Sequence, residues 1–320
     1  MSRFDVRLAE LRAAGEPTRL RLLALLAHAE LTVTELTTIL GQSQPGVSRH
    51  LRLLCEAGLA ERHQEGAWAF YRARLDEAFS ALLADLRGPE LDADFAALDA
   101  VREERAAAAA RYFAEHAAEW DGLRRLYLPE GEIEAAMLEM VPGEGRLLVD
   151  LGTGTGRMLT LFGAHYDQSI GFDASPEMLA LARVKVEAAG LRAVRLRRAD
   201  LFELPETARG ADLVVLHHVL HYLAEPERAV SVAGRLLAQG GQLLIADFAP
   251  HANEALRDTY AHRRLGFADA EVGRFAQNAR LRLVETRTFP SPGPDGLTAK
   301  LWRLERAAAP PSKESLHVGA

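Results

Sequence analysis

The 320-residue chain has one cysteine, Cys55, and three lysines, Lys185, Lys300 and Lys313. A lone cysteine excludes a disulfide framework within the chain and fits a reducing cytoplasm, the expected location. With lysine so scarce, arginine carries nearly all the positive charge, which reads as a coding bias and not a mechanism. No apolar run approaches the ~18–20 residues of a membrane span, so no membrane association is expected. The stretch from Arg3 onward lacks a signal-peptide pattern. A chain of this length is expected to form about two domains. Its charge is uneven: residues 1–75 hold ten arginines against eight carboxylates, a net of +2, whereas the whole chain is −7 and the remainder therefore −9. A mildly basic small domain on an acidic larger one fits a nucleic-acid reader joined to something else, although +2 alone would not mark it out.

What is present is concentrated in residues 147–156, Leu-Leu-Val-Asp-Leu-Gly-Thr-Gly-Thr-Gly. Leu147, Leu148 and Val149 read as a buried parallel strand. Asp150 ends it. Gly152, Gly154 and Gly156 permit positive φ and close backbone approach in a strand-to-helix turn. Met158 to Phe162 continues as a helix whose free N–H groups face whatever lies over the loop. The spacing is G-x-G-x-G; the dinucleotide fingerprint G-x-G-x-x-G would need glycine where Arg157 stands. Ile170–Phe172 leads to Asp173, about 20 positions past the loop, where an acidic residue accepts hydrogen bonds from ribose hydroxyls. Ser175 caps the next helix, with Pro176 in its first turn. A strand from Val194 ends at Asp200, Ala211–His218 is a fourth strand, and Gly240–Phe248 a fifth. Leu281–Phe289 and Leu297–Leu304 read as an antiparallel pair.

This order of glycine loop, Asp173 and Asp200 resembles the class I S-adenosylmethionine-dependent methyltransferases over roughly residues 126–305. The resemblance implies an α/β Rossmann-like domain with a mostly parallel seven-stranded sheet, and S-adenosylmethionine or S-adenosylhomocysteine as ligand. Asp150, Gly152, Gly154 and Gly156 would cradle it. Asp173 would take the ribose, Asp200 the adenine amino group, the Leu201 N–H a ring nitrogen, and His217 the methionine end. His217, His218 and His221 cluster at the fourth strand's mouth; Asp247, His251, Arg257, His262 and Arg263 follow the fifth, in a run read as a charged lid. Methyl transfer mainly needs positioning and exclusion of water. A base is optional, and His217, His218, His251 and His262 are the candidates, since histidine can act as a base near neutral pH. The alternative is that they only hydrogen-bond the cofactor or each other. Arsenic methylation is disfavoured, because those enzymes use several cysteines.

The first third has a different pattern. Residues 17–29 form an amphipathic helix with Pro17 in its first turn. Thr32 or Thr34 caps a second helix, Glu35–Leu40, stopped by Gly41. Ser43 caps a third, with Pro45 in its first turn, running to Ala57 before Gly58. Leu59–His63 and Ala67–Ala73 form a hairpin. Helix, helix, turn, helix, hairpin is the layout of a winged helix-turn-helix. The segments PTRLRLLALL and ELTTILGQSQPGVSRHLRLLCEAGLAERHQEGAWAFYR resemble the ArsR/SmtB family of winged-helix repressors over roughly residues 10–75. Carried over by position, Ser43, Gln44, Ser48, Arg49 and His50 would face the major groove, and Arg62 and Arg72 the backbone or minor groove. The chemistry fits, since glutamine reads adenine, arginine reads guanine or grips phosphate, and serine stands at a helix N-terminus. Many members of that family sense metals, but Glu35-Leu36-Thr37-Thr38 has no cysteine. Cys55 stands alone as a small apolar residue, and His116 with Glu119 would give only two ligands. No metal is expected.

Residues 90–121 contain no glycine or proline and predict one long helix. By resemblance, helices flanking the winged motif would make a homodimer matching an inverted-repeat DNA operator, with Ala106–Ala110 available for close packing. Tyr112, Phe113, Trp120 and Asp121 would fold over the cofactor or pack in a core. The expected organisation is a DNA-binding domain at 1–80, connecting helices at 81–125, the ligand-binding domain at 126–306, and a disordered tail at 307–320. Three functions compete: a repressor sensing S-adenosylmethionine or S-adenosylhomocysteine, resembling regulators of the methionine cycle; an active small-molecule methyltransferase controlling its own operon; and an enzyme using its winged domain only to dimerise. The intact recognition helix and wing disfavour the third.

Overall fold

The computed structural model describes residues 2–65, 68–115, 130–141, 143–260, 262–291 and 296–306. The chain divides into two compact units, residues 1–110 and 111–320. The first begins with α1 (Arg3–Ala14), a helix absent from the expectations above. Its signal was available as Ser2-x-x-Asp5, a capping box in which each side chain bonds the other's backbone N–H. α2 (Pro17–Leu26) follows, then the short strand β1 (Leu31–Thr32) and α3 (Val33–Leu40). Thr32, not Thr34, caps α3, forming a second capping box with Glu35. Gly41 ends α3 at φ 63, in the left-handed region. α4 (Gln44–Glu56) is entered at Ser43, but the Ser43 side chain makes no capping bond, contrary to expectation. β2 (Ala60–Glu65) and β3 (Trp68–Ala73) form the hairpin, and β1 pairs with β3, giving a sheet in the order β1-β3-β2. α5 (Glu77–Ala84) leads to the long α6 (Pro89–Glu115).

The core of this unit is aliphatic. Leu22, Leu26, Leu36, Val47, Leu51 and Leu54 are completely or nearly completely buried, and Leu98 and Val101 of α6 join them. The first part of the expected connecting helix is therefore part of the first unit's own core. Ala106 and Ala108 to Ala110, Tyr112, Phe113, His116, Glu119, Trp120, Asp121 and the tail lie outside what the structure describes at side-chain level.

The second unit is introduced by α7 (Glu130–Met140). β4 (Gly145–Leu151), α8 (Arg157–Phe162), β5 (Tyr166–Asp173), α9 (Pro176–Ala188) and β6 (Val194–Arg198) build one half. β7 (Ala211–His217), α10 (Pro226–Leu236), β8 (Leu237–Phe248), α11 (Ala255–Tyr260), α12 (Asp269–Asn278), β9 (Leu281–Phe289) and β10 (Ala299–Arg306) build the other. The sheet runs β6-β5-β4-β7-β8-β10-β9. The pairings from β6 to β8 are parallel, and β10 is antiparallel to both β8 and β9. Alternation places Val149 and Leu151 in the core on one face and Leu148 in the core on the other, so both faces of β4 are covered. Strand order reverses between β4 and β7, the crevice where doubly wound sheets take ligands. Among the described residues, no helix is long and apolar enough to cross a membrane.

Candidate functional site

The carboxyl ends of β4, β5 and β7 meet at this crevice. Gly152, Gly154 and Gly156 adopt φ of 70, 51 and 78. The Gly152 and Thr153 N–H groups both donate to the Phe172 carbonyl at 2.8 Å, tying the loop to the end of β5. A side chain on Gly152 would strike Val219, and one on Gly156 would press on Ala182 of α9, whereas Gly154 faces open space. Gly154 is thus the position where a ligand can approach the backbone.

Asp173 ends β5 as expected. Its carboxylate accepts from the Gly154 N–H at 2.8 Å and the Ser175 N–H at 2.9 Å. It therefore shapes the loop as well as facing the crevice, a second role the sequence did not show. Asp150 is completely buried and accepts from the Thr153 hydroxyl at 2.6 Å. Burial pushes its carboxyl up to about 7. Asp200 does not end a strand: β6 stops at Arg198, and the exposed Asp200 begins a turn in which it accepts from the Phe202 N–H at 2.8 Å. The turn chemistry of aspartate overrode the apparent strand. Leu201 is half-buried in this turn.

At the other side of the crevice, His217 ends β7, and His218 follows in the left-handed region at φ 54. Their rings meet edge to face, centroids 4.5 Å apart. His221 lies in a short 3-10 turn, Leu220–Tyr222. Its Nδ1 meets Asp247 Oδ1 at 2.8 Å, and both residues are buried. Burial alone would raise the Asp247 carboxyl, but His221 beside it holds it below its ordinary value. Burial lowers His217 far below the usual imidazole range, His218 and His262 to about 4, and His251 as well. These four are neutral at pH 7 and present nitrogen lone pairs. His221 and Asp247 are 26 residues apart and fall in separate groups along the sequence. They meet because β7 and β8 are adjacent parallel strands ending side by side.

The run expected to be a lid is fastened down. Arg263 and Arg264 donate backbone N–H to the His221 carbonyl, His251 N–H donates to Leu265, and Phe267 N–H to Phe248. His262 is 2% exposed, so it walls the pocket and carries no charge over it.

In the first unit, Ser43, Gln44 and Arg49 are exposed on α4 while Val47, Leu51 and Leu54 point inward. Ser48 is half-buried. His50 turns toward the start of α2, with Nδ1 3.4 Å from Glu16. Arg62 is exposed on β2 and bonds Gln64; Arg72 is half-buried on β3, opposite Glu61 in the ladder. Cys55 is half-buried against the core.

These two units define a class of protein: a helix-turn-helix domain followed by a Rossmann-like α/β domain. Comparison with known proteins specifies both. Residues 16–62 match the family "Bacterial regulatory protein, arsR family", and residues 149–245 match "Methyltransferase domain". The chain is 36% identical over 160 residues to the phosphatidylethanolamine N-methyltransferase of Cereibacter sphaeroides, covering 48% of this chain and 78% of that one. It is 48% identical over 59 residues to the arsenical resistance operon repressor of Escherichia coli (strain K12), covering 18% and 50%. The structure of the N-methyltransferase NodS from Bradyrhizobium japonicum WM9, in complex with S-adenosyl-L-homocysteine, aligns at TM-score 0.47 and 19% identity, covering 55% and 87%. The chain belongs to the methyltransferase-domain family and carries an arsR-family helix-turn-helix domain ahead of it.

Proposed function

We propose that the protein is a DNA-binding transcriptional regulator, a repressor acting in the cytoplasm. Its methyltransferase-fold domain would bind S-adenosylmethionine or S-adenosylhomocysteine as effector and so control methionine- and methylation-cycle genes. The observation that carries this is the crevice beside the glycine loop, where Asp173 is pinned at the end of β5 and Gly154 faces open space. Similarity to a named methyltransferase makes the methyl donor and its product the natural ligands. Ser43, Gln44, Ser48 and Arg49 on α4, with His50, Arg62 and Arg72 beside them, would read or grip double-stranded DNA. Phe4, Val6 and Leu11 of α1 and Leu82 of α5 remain exposed, an apolar surface suited to a homodimer on an inverted repeat. Ligand shifts the operator equilibrium only if it binds the DNA-competent and incompetent states unequally.

The test is operator binding by fluorescence anisotropy, on duplex DNA from upstream of the gene at fixed salt, titrated separately with each ligand. One ligand is expected to change operator affinity at least tenfold. Asp173→Asn is expected to abolish that response while leaving ligand-free DNA binding intact; a normal response in this variant would misplace the ligand site. A second reading, an active small-molecule methyltransferase that regulates its own operon, is favoured by the buried His221–Asp247 pair and the neutral His217, His218, His251 and His262 beside it. It takes over if operator binding ignores both ligands and methyl transfer is detected.

A further inference from the structure

The mouth of β7 and β8 holds more imidazole than effector binding requires. His218, His221 and Asp247 each offer one ligating atom, and the three atoms all lie within 4.8 Å of one another. Hydrogen bonding orients them. His221 Nδ1 and Asp247 Oδ1 stand 2.8 Å apart, so an ion bound there takes the place of the proton the two atoms share. Asp247 Oδ1 also accepts from the Phe248 N–H at 2.8 Å, while Oδ2 receives only a long 3.3 Å bond from the His221 N–H and keeps a lone pair.

His218 is set for the same purpose. Its left-handed backbone is strained in a non-glycine residue. It is held by its N–H donating to the Ala246 carbonyl at 2.8 Å. Its Nδ1 is buried without a hydrogen-bond partner, as are both ring nitrogens of His262. Each such orphan is destabilising unless something binds it. The His218 and His221 ring centroids are 6.2 Å apart, room for an ion between ring edges. His262 instead lies over His221, centroids 4.2 Å apart, and Phe248 lies 5.0 Å from both His218 and His221, so the pocket has a dry wall.

We infer that His218, His221 and Asp247 form a binding site for a divalent transition-metal ion of the zinc(II) class. Two imidazoles and a carboxylate suit such an ion, whereas calcium and magnesium favour all-oxygen sets. Three protein ligands leave one position open, the pattern of a site that also takes a small ligand; structural zinc is closed by four. This departs from the expectation of no metal, which weighed only the cysteine-poor DNA reader and the pair His116 and Glu119. It does not depend on which effector, if any, controls DNA binding.

The experiment uses the full-length chain, purified without a histidine tag, stripped with chelator and titrated with cobalt(II) alone and then zinc(II). One cobalt per chain is expected, with visible d–d absorption bands that zinc abolishes. His218→Gln and His221→Gln should each weaken cobalt binding at least tenfold, while His165→Gln, at an exposed position, should bind as the native chain does. His218→Gln is the more secure variant, because its Nδ1 has no protein partner to lose; an unchanged melting temperature confirms its fold. Absence of a bound equivalent, or equal binding by the His218→Gln chain, overturns the site and leaves the pocket to a hydrogen-bond-donating organic ligand. The operator titration reads the proposed function separately.

Discussion

Asp150 sits beneath the glycine loop with its carboxyl raised by burial from 3.8 to about 7, the Thr153 hydroxyl opposing and the charge of Asp173 adding to the rise. A carboxyl raised in the folded state binds its proton more tightly there than in the unfolded chain. The folded form is therefore favoured while Asp150 is protonated, and it loses stability as pH climbs from about 4 to about 7. The full difference amounts to about 4 kcal/mol at most. Asp150→Asn, which keeps an acceptor for Thr153, is expected to raise the melting temperature at pH 8 and leave it nearly unchanged at pH 4; equal shifts at both would show that Asp150 is not the titrating group. The glycines separate two duties. A Cβ at Gly152 would lie 2.5 Å from Val219, but one at Gly154 meets nothing. Gly152→Ala should cost about 2–4 kcal/mol by denaturant melts, from overpacking plus left-handed strain. Gly154→Ala should cost about 1–2 kcal/mol of strain alone, with its larger effect on S-adenosylhomocysteine binding measured by calorimetry.

Among the elements, α6 is tied to α2 and α3. Arg21 of α2 bonds Asp94 of α6 through two nitrogens, both at 2.6 Å, and Asp94 is 1% exposed. Further along, Arg105 bonds the Glu35 carboxylate of α3 at 2.9 Å and the Glu30 carbonyl at 2.9 Å. Glu35 thus serves both the α3 capping box and α6. A buried pair that loses one partner leaves an uncompensated charge. Asp94→Ala should destabilise the chain by about 2–3 kcal/mol, less than a fully buried pair because Arg21 keeps some solvent. A loss under about 0.5 kcal/mol in urea melts would show that the pair is ornamental. Pro17, Gly41 and Ser175 with Pro176 mark helix boundaries legibly, whereas the α3 cap is open between Thr32 and Thr34 in the sequence and the structure decides it. β6 was misjudged by two residues because Asp200 carries turn chemistry and strand-like neighbours at once.

In the whole molecule, α4 and the glycine-loop crevice belong to two different compact units. Their losses should therefore be separable. Arg49→Ala is expected to weaken operator binding across sequences and lower the salt slope by about 1, leaving S-adenosylhomocysteine affinity unchanged in calorimetry. Unaltered operator affinity would remove Arg49 from the interface.

Local pattern was enough for the fold class, the two-part organisation, the glycine loop and Asp173, because each depends on neighbours within a few residues: alternation, caps, and a fixed spacing from strand to turn. Tertiary packing alone decided that α6 belongs to the core of the first unit and that the expected lid is a fastened wall. It also paired His221 with Asp247 and brought a ligating atom of His218 within 4.8 Å of both. Those facts arise where strands distant in sequence end side by side, and no local periodicity encodes which loop residues then meet.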